Sequence, residues 1–230
     1  MSDVRPAFYA LAPGGWRDYV TLLHAPYTLW HLSYVVIGAA LAPHFDAPLL
    51  GWTLLAFFLA LGIGAHALDE LHGRPLRTQI PHATLVALAV TSIGGAAAIG
   101  SVIAVRRDLW LVLFVAAGCV LVVAYNLELF GGALHSDVWF ALAWGAFPAL
   151  VGFFASAHDV RVEAIGAAAF CALLSYVQRT LSTQVRSVRR GSGVPPADVA
   201  HLTRVPERAL RVLAAAVVVL AVTLVTIRVT

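Results

Sequence analysis

Residues Gly62–His82, GIGAHALDELHGRPLRTQIPH, close an apolar helix on a cluster of ionisable groups and then break at Pro75 and Pro81. The spacing decides how the cluster is read. On a helix of 3.6 residues per turn, His66, Asp69 and His72 fall at i, i+3 and i+6 and can converge on one point. Two imidazoles and a carboxylate are ligand types for zinc or iron, whereas the neighbouring carboxylates Asp69 and Glu70 suit a magnesium ion that keeps its waters. Gly73 and Pro75 would end the helix near His72, which leaves a plain capping role open for that residue. Arg74 and Arg77 follow at once and suit an anionic group such as phosphate, or else anchor the chain at a membrane surface.

The apolar run before this cluster is one of seven. Hydrophobic residues make up 60% of the 230-residue chain and charged residues 12%, with a mean hydropathy of +0.85. Those values exclude an ordinary soluble domain and predict an integral membrane protein. Runs at about 27–43, 46–66, 83–105, 108–127, 136–157, 162–178 and 208–229 each approach the ~20 residues a helix needs to span the hydrocarbon. The expectation is an all-α, polytopic bundle of about seven transmembrane helices, one domain over residues 1–230. Residues 1–20 read as a soluble or interfacial lead-in lacking the order of a signal peptide. Residues 191–206 read as a cytoplasmic link before the last span.

Every one of the fifteen basic residues is arginine. With the N-terminus inside, Arg106, Arg107, Arg161 and Arg228 fall outside and the other eleven fall inside. This split follows the positive-inside rule and puts the Gly62–His82 cluster at the cytoplasmic face of what reads as a bacterial or archaeal cell membrane. The net charge of +3 is thus accounted for by topology, and no nucleic-acid partner is expected. Cys119 and Cys171 lie in apolar runs and read as small packing residues.

Other stretches repeat the theme of the second run. Within the first, His31 stands at membrane depth, either bonded to a neighbouring helix or serving a site. Ala124–Asp137, AYNLELFGGALHSD, gathers Tyr125, Asn126, Glu128, His135 and Asp137 at a boundary without arginine. The fifth run carries Trp139, Trp144, Gly145, Pro148, Phe153 and Phe154, candidates for the aromatic wall of a cavity. The sixth runs on into a polar end where Gln178, Ser182 and Arg186 are spaced i, i+4, i+8, as are Arg179 and Thr183 at i, i+4.

Taken together, these pieces resemble the UbiA-type membrane prenyltransferase superfamily over roughly residues 20–190. The resemblance rests on Pro26-Tyr27-Thr28-Leu29 opening the first helix, a polar motif before Arg74-Pro75, Tyr125 ending the fourth helix, a Gly-rich entry to a fifth helix bearing Trp144-Gly145, and a polar end to the sixth. It implies a UbiA-like bundle with a lipid-open cavity, moving a prenyl group from its diphosphate to an acceptor. The motifs depart from that pattern. Where the family has magnesium-binding aspartates, this chain keeps Asp69 but has His66, Gly73, Ser182 and Arg186, and Gln178 stands for an asparagine. About two of the usual nine helices are missing.

Three functional readings follow. In the first, a divergent enzyme transfers or cyclises an isoprenoid or similar lipophilic substrate. Asp69 and Glu70 hold a divalent metal, magnesium in this case, and Arg74, Arg77, Gln178, Arg179 and Arg186 bind substrate. Asp69, Tyr125 and Glu128 act in catalysis, beside Trp144 and the aromatic wall. In the second, His66, Asp69, His72, Glu128 and His135 hold zinc or iron. In the third, the bundle binds a membrane lipid or partner helix without catalysis.

Overall fold

A computed structural model describes residues 5–190 and 194–230 of the chain. Its helices are α1 (Trp16–Leu22), α2 (Ala25–Leu41), α3 (Ala47–Leu71), α4 (His82–Arg107), α5 (Leu111–Asn126), α6 (Asp137–Ala157), α7 (Val162–Arg190) and α8 (Pro196–Val229). No strand occurs among the described residues.

Five helices, α3, α4, α6, α7 and α8, are long and apolar enough to cross a membrane. The expected count of seven is not reached by that measure. Helix α2 has 17 residues and α5 has 16, which at 1.5 Å per residue gives each about 25 Å. The sixth run continues past its apolar part as expected, α7 staying helical to Arg190. One other expectation changes. The expected link 191–206 shrinks, since α8 begins at Pro196 and continues through Pro206 into the last span; residues 191–193 lie outside the described residues.

Helix α2 is the axis of one side of the bundle. Trp30, Tyr34 and Val35 are fully buried, and Trp30, Tyr34 and Ile37 join a core with Ala149 of α6, Cys171 of α7 and Leu210 and Ala214 of α8. Small residues let the backbones touch. A Cβ at Gly38 would lie 2.0 Å from the Ala149 carbonyl, one at Gly152 2.2 Å from that of Val35, and one at Gly145 2.5 Å from that of Cys171. Without a strong hydrophobic force between helices in lipid, such close approach is how they hold together. On the other side Leu61, Ala65, Leu85, Ala89, Val122 and Ala143 join α3, α4, α5 and α6. Helix α6 belongs to both cores.

Two long helices carry a wide, π-type turn, at Phe58–Ala65 in α3 and Ala141–Ala146 in α6. Such turns change the facing of every residue beyond them and are frequent at functional sites. The first delivers His66 and Asp69; the second contains Trp144. At the far end of the bundle Asp46 caps α3 through the Leu49 amide and pairs with Arg107. There Arg228 also donates to the carbonyls of Ala42 and Pro43.

Candidate functional site

A chamber of about 320 Å³ opens at the end of the bundle where α3, α5 and α7 finish. Each helix contributes one face. From α2 and its cap come His24, Tyr27 and His31, one stripe at i, i+3, i+7. From α3 come His66 and Asp69, then His72 from its end. Tyr125 and Asn126 close α5, with Glu128 and His135 in the connection beyond it. Phe140 and Trp144 come from α6, and Gln178, Arg179, Ser182, Arg186 and Arg190 from α7. The stripe Gln178, Ser182, Arg186 and Arg190 repeats every fourth residue, so α7 shows the chamber a neutral inner end and a cationic outer one. Among the described residues neither Arg186 nor Arg190 has a carboxylate within ion-pair distance.

The N-terminal lead-in is part of this wall. Pro6, Ala7, Phe8 and Tyr9 line the chamber. The Tyr9 hydroxyl bonds the His24 Nδ1 at 3.0 Å, Phe8 meets Tyr27 edge-on, and the Arg211 guanidinium sits 4.6 Å from the Phe8 ring centre. Arg189 donates to the Arg5 carbonyl and is itself held by Glu207. Nothing in the apolar pattern signals that residues 6–9 fold back. His24 stacks on His66 with ring centres 3.9 Å apart. Loss of water, then the neighbouring His66 and Arg186, hold the His24 pKa well below the ordinary histidine value.

An aromatic wall stands at the inner side. Tyr125 and Trp144 ring centres are 4.4 Å apart, and Phe140 stacks on Trp144 at 5.7 Å. Beyond it lies a second, apolar cavity of about 100 Å³ between α3, α4, α5 and α6, lined among others by Ala60, Gly100, Phe114, Gly118 and Phe147. Trp144 lines both spaces. The expectation of an aromatic-walled cavity on the fifth run is met at Trp144, while Trp139 is exposed and Phe153 is packed in the core.

Several residues singled out by the sequence sit elsewhere. Glu70 is fully buried, and its carboxylate accepts from the amides of Leu76 and Thr78 and from the Thr78 hydroxyl. It fastens the 72–81 link and does not line the chamber, because adjacent helix positions point about 100° apart. Arg74 donates to the Thr78 and Ile80 carbonyls of the same link, and Arg77 is exposed; neither lines the chamber. Arg190 takes the place expected for them. Its signal was present in the sequence as the next member of the i+4 series from Gln178.

The geometry lends the metal reading no support. Among the described residues no three His, Cys, Asp or Glu side chains are grouped to hold an ion. His135 has both ring nitrogens engaged: Nδ1 donates to the Tyr125 carbonyl at 3.1 Å, and Nε2 accepts from Arg179 at 3.1 Å, while Arg179 also pairs with Asp137 at 3.2 Å. His66 Nδ1 donates to the Gly62 carbonyl and its ring is covered by His24. His72 Nε2 and His135 Nδ1 each lie 3.9 Å from the Glu128 carboxylate, and that nitrogen of His135 is already spent on the Tyr125 carbonyl. The donor chemistry does not fit a magnesium cluster either. Arg186 stands where the resembled pattern has an aspartate, and Glu70 is committed to the link.

Two buried polar atoms in the chamber wall have no hydrogen-bond partner, the Tyr125 hydroxyl and Gln178 Oε1. Such atoms are rare in proteins unless something else completes them. No protein-family model, no curated protein and no solved structure matches this chain.

Proposed function

We propose that this chain is an intramembrane enzyme that transfers or cyclises a prenyl or similar lipophilic group carried on a diphosphate, as the UbiA-like motifs suggest. One observation carries the reading: a cationic polar chamber and an apolar cavity meet at a single residue, Trp144. An amphipathic substrate needs that pairing. The diphosphate sits against Arg186 and Arg190, with Arg179 behind them, and the hydrocarbon passes Trp144 into the apolar cavity between α3 and α5.

The chemistry then needs little beyond these groups. The C1–O bond of the substrate breaks, and the diphosphate leaves with the electron pair, its charge neutralised by guanidinium groups that bind phosphate oxygens in a planar fork. The carbocation left at C1 lies by the faces of Tyr125, Phe140 and Trp144, whose π-electrons stabilise positive charge. A nucleophilic acceptor, or a double bond of the same chain in a cyclisation, closes on C1, and the proton released passes to the Asp69 carboxylate. Guanidinium groups bind the anion directly, which lowers the dependence on magnesium relative to an enzyme built on aspartates. The arginine asymmetry favours a chamber that faces the cytoplasm.

The test is diphosphate release from geranylgeranyl diphosphate by the purified protein in detergent, with and without magnesium. Release that is lost in Arg186→Ala and Asp69→Asn supports the reading. Tight binding without release would make the chain a lipid-binding protein, and neither binding nor release would remove the reading altogether.

A further inference from the structure

Gln178 is oriented by a relay that starts at the backbone of another helix. Inside the wide turn of α6, the Trp144 carbonyl accepts from His31 Nδ1 at 2.8 Å. A carbonyl cannot donate, so His31 carries its proton on Nδ1, and Nε2 is left as an acceptor. That nitrogen faces Gln178 Nε2 at 3.4 Å. The amide nitrogen therefore points to His31, and Oε1 is turned the other way, unpartnered, on a side chain 3% exposed. Tyr125, 5% exposed and lining the same chamber, has a buried hydroxyl that is also unpartnered.

The two atoms ask for complementary partners. Gln178 Oε1 can only accept, whereas the Tyr125 hydroxyl can donate. A fully ionised diphosphate offers acceptors and no donor, so it leaves Gln178 unsatisfied. It is also drawn elsewhere, because Arg186 lies two turns of α7 further out, about 12 Å along the axis. A neutral hydroxyl meets both needs at once, donating to Gln178 and accepting from Tyr125.

From this geometry we infer that Gln178 and Tyr125 form a separate inner subsite for an alcohol, the hydroxyl of a lipophilic second ligand, with His31 as the positioning residue that aims Gln178. The inference rests on the transfer reading only for what the alcohol does next, as the acceptor whose oxygen bonds to C1 as diphosphate leaves with the C1–O electron pair and the alcohol proton passes to the Asp69 carboxylate. Binding itself is independent of that reading.

The experiment is equilibrium binding of tritiated geranylgeraniol to the protein in detergent, without diphosphate, with unlabelled geranylgeraniol and its methyl ether as competitors. The two probes share a chain and differ in the one donor. A site built to bond a hydroxyl rejects the analogue that lacks it, so the ether is expected to compete about tenfold less well or worse. In Gln178→Leu that preference collapses to within about twofold, and His31→Phe reduces it while leaving the protein monodisperse. Equal competition by alcohol and ether in the wild type, no binding of either, or an unchanged preference in Gln178→Leu overturns the subsite. The wild-type comparison needs no variant to fold. An intact alcohol preference in a protein that releases no diphosphate would remove the transfer reading and leave this subsite standing.

Discussion

At the end of α3 the charged residues Glu70, Arg74 and Arg77 turn inward on their own link or out to water, while at the end of α7 Arg179, Arg186 and Arg190 turn toward the chamber. Both ends are helices that run out of the apolar layer into polar residues. The difference is where the backbone needs partners. After α3 the chain breaks at Gly73 and leaves the amides of Leu76 and Thr78 in the interior, so Glu70 is consumed in bonding them. Helix α7 continues unbroken to Arg190; Arg179 is held by Asp137 and His135 and Arg190 reaches the Pro75 carbonyl, while Arg186 is bonded only to Thr183 of its own helix.

The contrast is tested most severely at the paired carboxylates. Glu70→Ala strands three buried donors at about 1–3 kcal/mol each, so the variant should lose most of its stability, whereas Asp69→Asn should unfold within a few degrees of the wild type. Thermal unfolding in detergent measures both, and similar losses would erase the distinction.

Next in size is the arginine contrast. Losing one charge-assisted contact to phosphate costs about 1.5–3 kcal/mol, so Arg186→Ala should weaken geranylgeranyl diphosphate binding at least tenfold. Arg77→Ala should leave it unchanged. A loss in Arg77→Ala equal to that in Arg186→Ala would return the link to the site.

A smaller effect concerns packing between α6 and α7. Gly145→Ala puts a Cβ 2.5 Å from the Cys171 carbonyl, and overpacking of this kind costs about 1–3 kcal/mol. Gly166→Ala on α7 has open space and serves as the control in the same melting experiment.

The smallest effect is a pH dependence. The His24 pKa is held below its ordinary value by burial, His66 and Arg186, so the folded state resists protonation that the unfolded chain accepts. Stability is full above about pH 6.5, the unfolded value, and falls as pH drops below it toward the lowered folded value. His24→Gln should make that acid limb shallower, read from melting temperatures across the range; an unchanged limb would place its origin in another group.

Much of the site was legible because helical spacing is local. Asp69, Gln178 and Arg186 were placed on their faces by the 3.6-residue repeat, and all three line the chamber. Tyr125 and Trp144 were marked by the order of motifs and meet at 4.4 Å. His31, readable as either a bonded core histidine or part of a site, turns out to be both, bonded to α6 and lining the chamber. The lead-in's return over the chamber was not legible, since it depends on contacts between Phe8, Tyr27 and Arg211, far apart in the chain.

By itself the sequence determined the apolar helices, their polar ends and the concentration of arginine at one end, because hydropathy and helical period are properties of neighbouring residues. Tertiary structure decided which polar residues face one another. The wide turns in α3 and α6 rotate His66, Asp69 and Trp144 relative to what precedes them, and hydrogen bonding across elements commits Glu70 to the link and His135 to Arg179. Pairing of that kind depends on the distance between segments in space, which residue order along one helix does not contain.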